Sequence, residues 1–516
     1  MKRLLLACLL LPLAALAETA GRPVHIVLVG DSTVTDLQGW GLGFRQFAGD
    51  GVVVSNAAKN GRSSKSYRDE GLWDQALALK GDYYLIQFGH NDQPGKGPER
   101  ETDPATTFPQ NMARYVDEVR ALGATPILVT SLTRRNFSKT DPGHIESTLV
   151  PHVEAVKRVA AEKNVPLIDL HARSIALCES LGPARTAGFN FTDKTGKTDT
   201  THLRARGSGV FAGLVVDELR RAVPALAPVL LAEPRAAKLS DLEYGNARGE
   251  KLLLDVSVPA GEGPFPVAIL VHGGGWSRGD KFQVPAGDGA DITPWFAPLT
   301  AAKFTWFSIN YRHAPQHRWP ACFEDVQTAI RWVKAHAAEF GGDPDRIALF
   351  GHSAGGHLVC LAATLVDDSL RVQAVVGFAP VTNHEQDLPM RGGLSTSLQN
   401  LLNRPKALTP ESLGLLREIS PLNHVRPGLP PFLLVHGELD KSVPIQQSHD
   451  FQAKLQANGV ECDLIVVPGA PHAFASWEKL QPDYLPRTLA WLDRRLRPER
   501  FATPDTGQAG QRPAGN

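Results

Sequence analysis

Through the first part of the chain, apolar strand-like runs alternate with stretches whose apolar residues recur every three to four positions. The runs are "HIVLVG" from His25, "DYYLIQFG" from Asp82, "TPILVTSL" from Thr125 and "VPLIDLH" from Val165. A strand without polar alternation is buried on both faces, the habit of parallel sheets. Between the middle two runs Met112, Val116, Val119 and Leu122 fall on one helical face, and Gly123 supplies a stop. Strand and helix in alternation predict a parallel sheet between helical layers.

A Pro- and Ala-rich stretch, "VPALAPVLLAEPRAAKLSD" from Val223 to Asp241, interrupts the pattern. The alternation then restarts with "KLLLDVSV", "PVAILVHGGGW", "FTWFSINYR", "IALFGHS", "VQAVVGFAP", "PFLLVHGELD" and "DLIVVPGAPH". This places one α/β domain over 18–232, a linker over 233–240 and a second α/β domain over 241–497. Within the second, a long polar segment between Val381 and Val425 has the length of an insert that caps a site. The tail, 498–516, is Gly-, Pro- and Gln-rich without periodicity and reads as disordered.

Length agrees with two cores, since 516 residues exceed what one usually serves. Lys and Arg balance Asp and Glu at 54 each, which excludes a bulk attraction for nucleic acid or an anionic membrane. The start, "MKRLLLACLLLPLAALA", has Lys2 and Arg3, an apolar stretch and a small-x-small site at Ala15-Leu16-Ala17, so residues 1–17 read as a secretory leader. A lipidation box at Leu5-Leu6-Ala7-Cys8 is the alternative, but the apolar segment before Cys8 is short for it. No later segment has the roughly 20 apolar residues of a membrane span. The expectation is a soluble, secreted or periplasmic protein. Cys178, Cys322, Cys360 and Cys462 lack metal or redox spacing; Cys322 with Cys360 or Cys462 is an open pairing, against free buried thiols.

Two of the apolar runs end in Gly-x-Ser: "HIVLVGDSTV" at Ser32 and "IALFGHSAGG" at Ser353. A serine nucleophile needs a base, an acid that orients the base, and donors for an oxyanion. For Ser32 the base candidate is His202 in "TDTTHLRARG", with Asp199 three residues earlier. Gly61 in "NAAKNGRSS" and Asn91 in "FGHND" offer a backbone amide and a side-chain amide.

The blocks Gly30-Asp31-Ser32, Gly61, Gly89-His90-Asn91-Asp92 and Asp199-x-x-His202, in that order, resemble the SGNH (GDSL-type) hydrolases. Within them "GRSSKSYRDEGLW" and "FGHND" look most like the rhamnogalacturonan and pectin acetylesterases. The resemblance implies a flavodoxin-like three-layer fold, Ser32 as nucleophile, His202 as base, Asp199 as its orienter, and the Ser32 amide, Gly61 and Asn91 as the oxyanion hole. It leaves His90 a structural role. Arg62, Lys65 and Arg68 are candidates to meet uronate carboxylates, or simply a solvated loop.

For Ser353, Gly351 and Gly355 permit the tight elbow, and "VHGGGW" supplies a glycine loop upstream. Asp440 in "VHGELDKSVP" and His472 in "VPGAPHAF" complete the order Ser, Asp, His; Glu438 is a rival acid. With "NYRHAP", these motifs resemble the HGGGW-loop α/β-hydrolase esterases, a group that includes hormone-sensitive-lipase-like, feruloyl and acetylxylan esterases. The resemblance implies a Ser353, Asp440, His472 triad with Gly274, Gly275 and the Ala354 amide as oxyanion donors. His272, His313, His352 and His357 read as scaffold.

The reading is a two-site serine esterase acting on plant cell-wall polysaccharide by acyl-enzyme chemistry, with no metal and no cofactor. The alternatives are that one domain is a polysaccharide-binding pseudoenzyme, or that the second is a general carboxylesterase or lipase. The acyl group taken by the second domain and the oligomeric state are not legible.

Overall fold

A computed structural model describes residues 22–192, 195–282, 292–365, 367–386 and 388–498. The expected leader and nearly all of the expected tail lie outside the described residues. The chain divides into two compact units; the first ends at Ala237 and also takes Ala260–Glu262, and the second holds the rest.

The first unit is built on β1 (Val24–Gly30), β2 (Val52–Asn56), β3 (Tyr83–Gln87), β4 (Thr125–Val129) and β5 (Leu167–Ile168), all parallel, in the order β2-β1-β3-β4-β5. Along β1, Ile26 and Leu28 enter one core while Val27 and Val29 enter the other, which is why these four positions carry no polar residue. Phe211, Val215 and Leu219 of the helix Ala205–Ala222 cover the first face. Met112, Tyr115, Val116 and Val119 of the helix Thr107–Ala121 cover the second. Leu122 departs from the expected helical face: the chain turns at Gly123 with φ +76°, and Leu122 is left 49% exposed. β6 (Asn190–Thr192) and β7 (Thr198–Leu203) form a separate antiparallel pair with a register irregularity after Asn190.

The second unit carries β8 (Ala237–Ala247), β9 (Glu250–Val258), β10 (Phe265–Val271), β11 (Thr305–Ile309), β12 (Gly342–His352), β13 (Ala374–Phe378), β14 (Phe432–Gly437) and β15 (Cys462–Val467). Their order is β15-β14-β13-β12-β10-β11-β9-β8, parallel from β15 to β11, with β9 antiparallel to β11. β8 begins inside the Pro- and Ala-rich stretch. Cys178, Cys322, Cys360 and Cys462 are all free and buried, so neither pairing open to Cys322 is made. Among the described residues no helix is long and apolar enough to cross a membrane.

Candidate active sites

In a doubly wound sheet the ligand crevice opens where the strand order reverses, here between β1 and β3. Ser32 follows β1 and Asn91 follows β3, so both stand at that crevice. The turn at Ser32 is held from beneath by a buried chain of hydrogen bonds. Trp40 Nε1–H donates to Gln87 Oε1 at 3.0 Å, Gln87 Nε2–H to Thr33 Oγ1 at 2.6 Å, and Thr33 Oγ1–H to Asp31 Oδ1 at 2.7 Å. His90 Nδ1 stands 3.4 Å from Asp31 Oδ2. Burial works to raise the Asp31 carboxyl, and His90 and Thr33 hold it below the usual range.

Asp199 and His202 lie on β7, where residues three apart on a regular strand face opposite sides. Asp199 removes the conflict by a local turn: its Oδ1 accepts from Thr201 N at 2.5 Å and His202 N at 3.1 Å. Its Oδ2 then meets His202 Nδ1 at 2.5 Å, and His202 Nε2 lies 2.8 Å from Ser32 Oγ. Against the upward push of burial, His202 and these backbone donors hold the Asp199 carboxyl well below the ordinary carboxylate range. Arg135, missed in the sequence, backs the histidine: Nη2–H donates to the His202 carbonyl at 2.6 Å and Nε–H to Asn190 Oδ1 at 2.6 Å.

Lys59 N donates to Gly30 O at 3.0 Å, which draws the Gly61 loop onto the end of β1. Gly61 has φ +76°, and Asn91 Nδ2 donates to Arg62 O at 3.2 Å, leaving its second N–H free for another acceptor. Buried Asp92 staples the two loops, accepting from Ser64 N at 3.0 Å, Ser64 Oγ at 2.5 Å and Thr102 Oγ1 at 2.9 Å. Ser32, His202 and Asp199 therefore converge, and Asn91 meets the Gly61 loop at Arg62. Two cations of the same loop are claimed by carboxylates, and the third by a carbonyl. Arg62 pairs with Glu70 and Arg68 with Glu118, both at 2.7 Å, and Lys65 Nζ donates to Pro98 O at 2.8 Å.

In the second unit Ser353 sits at the β12-to-helix elbow with φ 55° and ψ −117°, a conformation L-residues hold only when the surroundings force it. A Cβ on Gly351 would stand 2.3 Å from Gly355 O, and one on Gly355 2.2 Å from Val271 O, so both approaches require glycine. Asp440 Oδ1 accepts from Ser442 N at 2.8 Å and Val443 N at 2.9 Å, and its Oδ2 meets His472 Nδ1 at 2.6 Å. Glu438 is engaged elsewhere, by Gly469 N at 2.9 Å. Opposed by burial, His436 and His472 hold the Asp440 carboxyl well below the ordinary range. Ser353 Oγ makes no hydrogen bond to His472 among the described residues. Ala354 opens the helix Ala354–Thr364, and Gly274 and Gly275 have φ +99° and +59°.

Two histidines do more than the sequence showed. Buried His352 donates Nε2–H to the His472 carbonyl at 3.0 Å, and burial drives it down to about 3, so the ring is neutral. His436 Nε2 stands 3.3 Å from Asp440 Oδ2, and its place four residues before the acid was the available signal. His272, stacked on Tyr311 at 4.4 Å, and His357, which accepts from Trp276 Nε1 at 3.1 Å, shape the glycine loop. The insert covers that loop: His384 packs on Trp276 at 5.6 Å, and a Cβ on Gly275 would stand 2.8 Å from Ser397 Oγ.

Residues 28–209 match the GDSL-like Lipase/Acylhydrolase family, and residues 254–455 match the BD-FAE family. The rhamnogalacturonan acetylesterase RhgT of Bacillus subtilis (strain 168) is 39% identical over 216 residues, covering 38% of this chain and 89% of that relative. On the second half, esterase LipQ of Mycobacterium tuberculosis (strain ATCC 25618 / H37Rv) is 34% identical over 256 residues, 46% of this chain and 58% of LipQ. Carboxylesterase NlhH of Mycobacterium tuberculosis (strain CDC 1551 / Oshkosh) is 30% identical over 249 residues, 45% of this chain and 74% of NlhH. The chain thus spans little more than half the length of LipQ. Both domains belong to serine esterase families, the first to the GDSL-like acylhydrolases with their rhamnogalacturonan acetylesterases and the second to the BD-FAE α/β-hydrolase esterases.

Proposed function

We propose that the protein is an exported, bifunctional carbohydrate esterase. The first site removes acetyl groups from pectic rhamnogalacturonan, and the second removes acetyl or feruloyl groups from a cell-wall polysaccharide such as xylan. The observation that carries the reading is the Asp199–His202–Ser32 relay, at 2.5 and 2.8 Å, in a domain related to a rhamnogalacturonan acetylesterase.

In acylation His202 Nε2 takes the Ser32 proton as Oγ attacks the ester carbonyl. The Ser32 and Gly61 amides and the free N–H of Asn91 Nδ2 receive the oxyanion, each such donor being worth about a hundred- to a thousandfold. The sugar hydroxyl leaves with the proton from His202, and water then releases the acid by the reverse relay. Ionised Asp199 keeps the proton on His202 Nδ1, so that Nε2 is the acceptor. Ser353, His472 and Asp440 repeat the sequence with Gly274, Gly275 and Ala354 as donors. This chemistry calls for no metal or cofactor.

A second reading makes the second domain a binding module, favoured by the missing Ser353–His472 hydrogen bond; catalytic hydrogen bonds in free enzymes often close only with substrate. The test measures acetate from rhamnogalacturonan and xylan, ferulate from arabinoxylan, and turnover of an aryl acetate, with Ser32→Ala, Ser353→Ala and both. Each single variant should silence one activity and spare the other. Loss of all activity in either single variant overturns two independent sites, and binding without release by Ser32→Ala gives the second reading.

A further inference from the structure

The segment Arg134–Thr140 leaves the end of β4 and carries three cations, none in an ion pair among the described residues. Arg134 donates to Gln93 Oε1 at 2.6 Å and Thr148 Oγ1 at 3.2 Å, both neutral. Arg135 is buried, and its acceptors are an amide and carbonyls, again neutral. Lys139 is exposed. Below Lys139 opens a cleft of about 720 Å³, lined by Arg135, Asn136, Lys139, Thr140, Glu146 and Thr200 among others.

The cleft shares a wall with the first site. Thr200 lies between Asp199 and His202 on β7, and its Oγ1–H donates to Asn136 Oδ1 at 2.6 Å. Arg135 N donates to Thr200 O at 2.9 Å. A ligand in the cleft therefore abuts the strand that carries the base. The lining carries two cations, Arg135 and Lys139, and one carboxylate, Glu146; the triad's Asp199 acts on Arg135, which leaves the exposed Lys139 as the cation open to a ligand. Arg135 is shifted down to about 10 by burial, against the opposing pull of the Asp199 carboxylate, and stays protonated at neutral pH in the cleft wall.

We propose that this cleft is the subsite for an acidic sugar next to the ester being cleaved. The Lys139 ammonium meets the uronate carboxylate, and the Asn136 amide and Thr140 hydroxyl meet ring hydroxyls. The proposal rests on the esterase reading of the first site and adds what selects its polymer. Selectivity comes from Lys139, in place of the internally paired Arg62 and Arg68.

The test uses the full chain carrying Ser353→Ala, so that only the first site turns over. Substrates are acetylated rhamnogalacturonan oligosaccharides, acetylated xylo-oligosaccharides and an aryl acetate. Lys139→Gln should raise KM for the acidic oligosaccharide roughly three- to tenfold and Lys139→Glu more, with kcat and the two uncharged substrates unchanged. Lys139→Arg should restore the KM, Glu146→Gln should lower it, and added salt should erase the differences. Binding of unacetylated oligogalacturonate to the Ser32→Ala chain, with and without Lys139→Glu, reads the subsite without turnover. Equal binding by the two overturns the subsite, as does an unchanged KM. If the acidic oligosaccharide is bound in a Lys139-dependent way but not deacetylated, the subsite stands and the acetylesterase reading falls.

Discussion

Replacing Asp199 with Asn separates the two jobs of that side chain. The Asn Oδ1 can still accept from Thr201 N and His202 N, so the turn that brings residues 199 and 202 to one side survives. The other atom changes from an acceptor at 2.5 Å from His202 Nδ1 to an N–H donor. Two donors cannot face each other, so His202 gives up its Nδ1 proton and carries it on Nε2. That nitrogen stands 2.8 Å from Ser32 Oγ and can no longer take the serine proton. A wrong-tautomer change of this kind in a serine triad costs about 10⁴ in kcat, or about 5 kcal/mol in the barrier. The assay is aryl acetate turnover in the Ser353→Ala chain, with thermal unfolding alongside. KM should hold and the melting temperature fall only modestly while kcat collapses. Asp199→Ala, which also removes the turn acceptor, should lower both kcat and stability. A kcat for Asp199→Asn within tenfold of the parent would refute the orienting role. Because Asp199 is held below the ordinary carboxylate range, its contribution is lost only as pH falls through that depressed value, and it is intact at neutral pH.

Gly355→Ala should abolish second-site activity while sparing the first, because the new Cβ meets backbone at Val271 O and His272 O, at 2.2 and 2.4 Å, and neither can yield cheaply; a variant active at both sites would contradict this. Asp92 is pushed up to about 7, chiefly by burial and against its Ser64 and Thr102 hydrogen bonds. The folded state thus binds its proton more tightly than the unfolded chain, and first-domain stability should fall as pH rises from about 4 toward 7. Thermal unfolding across that range should show the slope in the parent and a flatter one in Asp92→Asn; equal slopes would sink the assignment. His352→Phe strips the His472 carbonyl of its donor, a penalty of about 1–3 kcal/mol. Melting of the second domain should drop and its kcat fall about tenfold, with first-site turnover as the internal control.

Most of the parallel strands were legible because burial on both faces leaves no room for polar alternation, as Ile26 to Val29 show. The serine elbow at Ser353 was legible because its positive φ and the close backbone approaches at Gly351 and Gly355 demand a short glycine-flanked word. β2 escaped notice because it is short and packed at an edge, and β8 because its first residues lie in a Pro- and Ala-rich stretch.

What the linear chain determined, then, was its local chemistry: which runs are buried, where it must turn, and which serines, acids and histidines stand in catalytic order. Partnership was decided only in three dimensions. Arg62 and Arg68 carry the charge expected of carboxylate binders, yet Glu70 and Glu118 claim them, the second from 50 residues away. Arg135 and Lys139 look no different on the page, and the fold leaves them facing neutral acceptors and an open cleft. His352 and His90 both sit beside a catalytic motif, but only packing brings one against the His472 carbonyl and the other beneath Asp31. A side chain's charge and shape are written in its residue type. The energy of a contact depends on what lies within a few ångströms, and that is set by which distant segments the two sheets bring together.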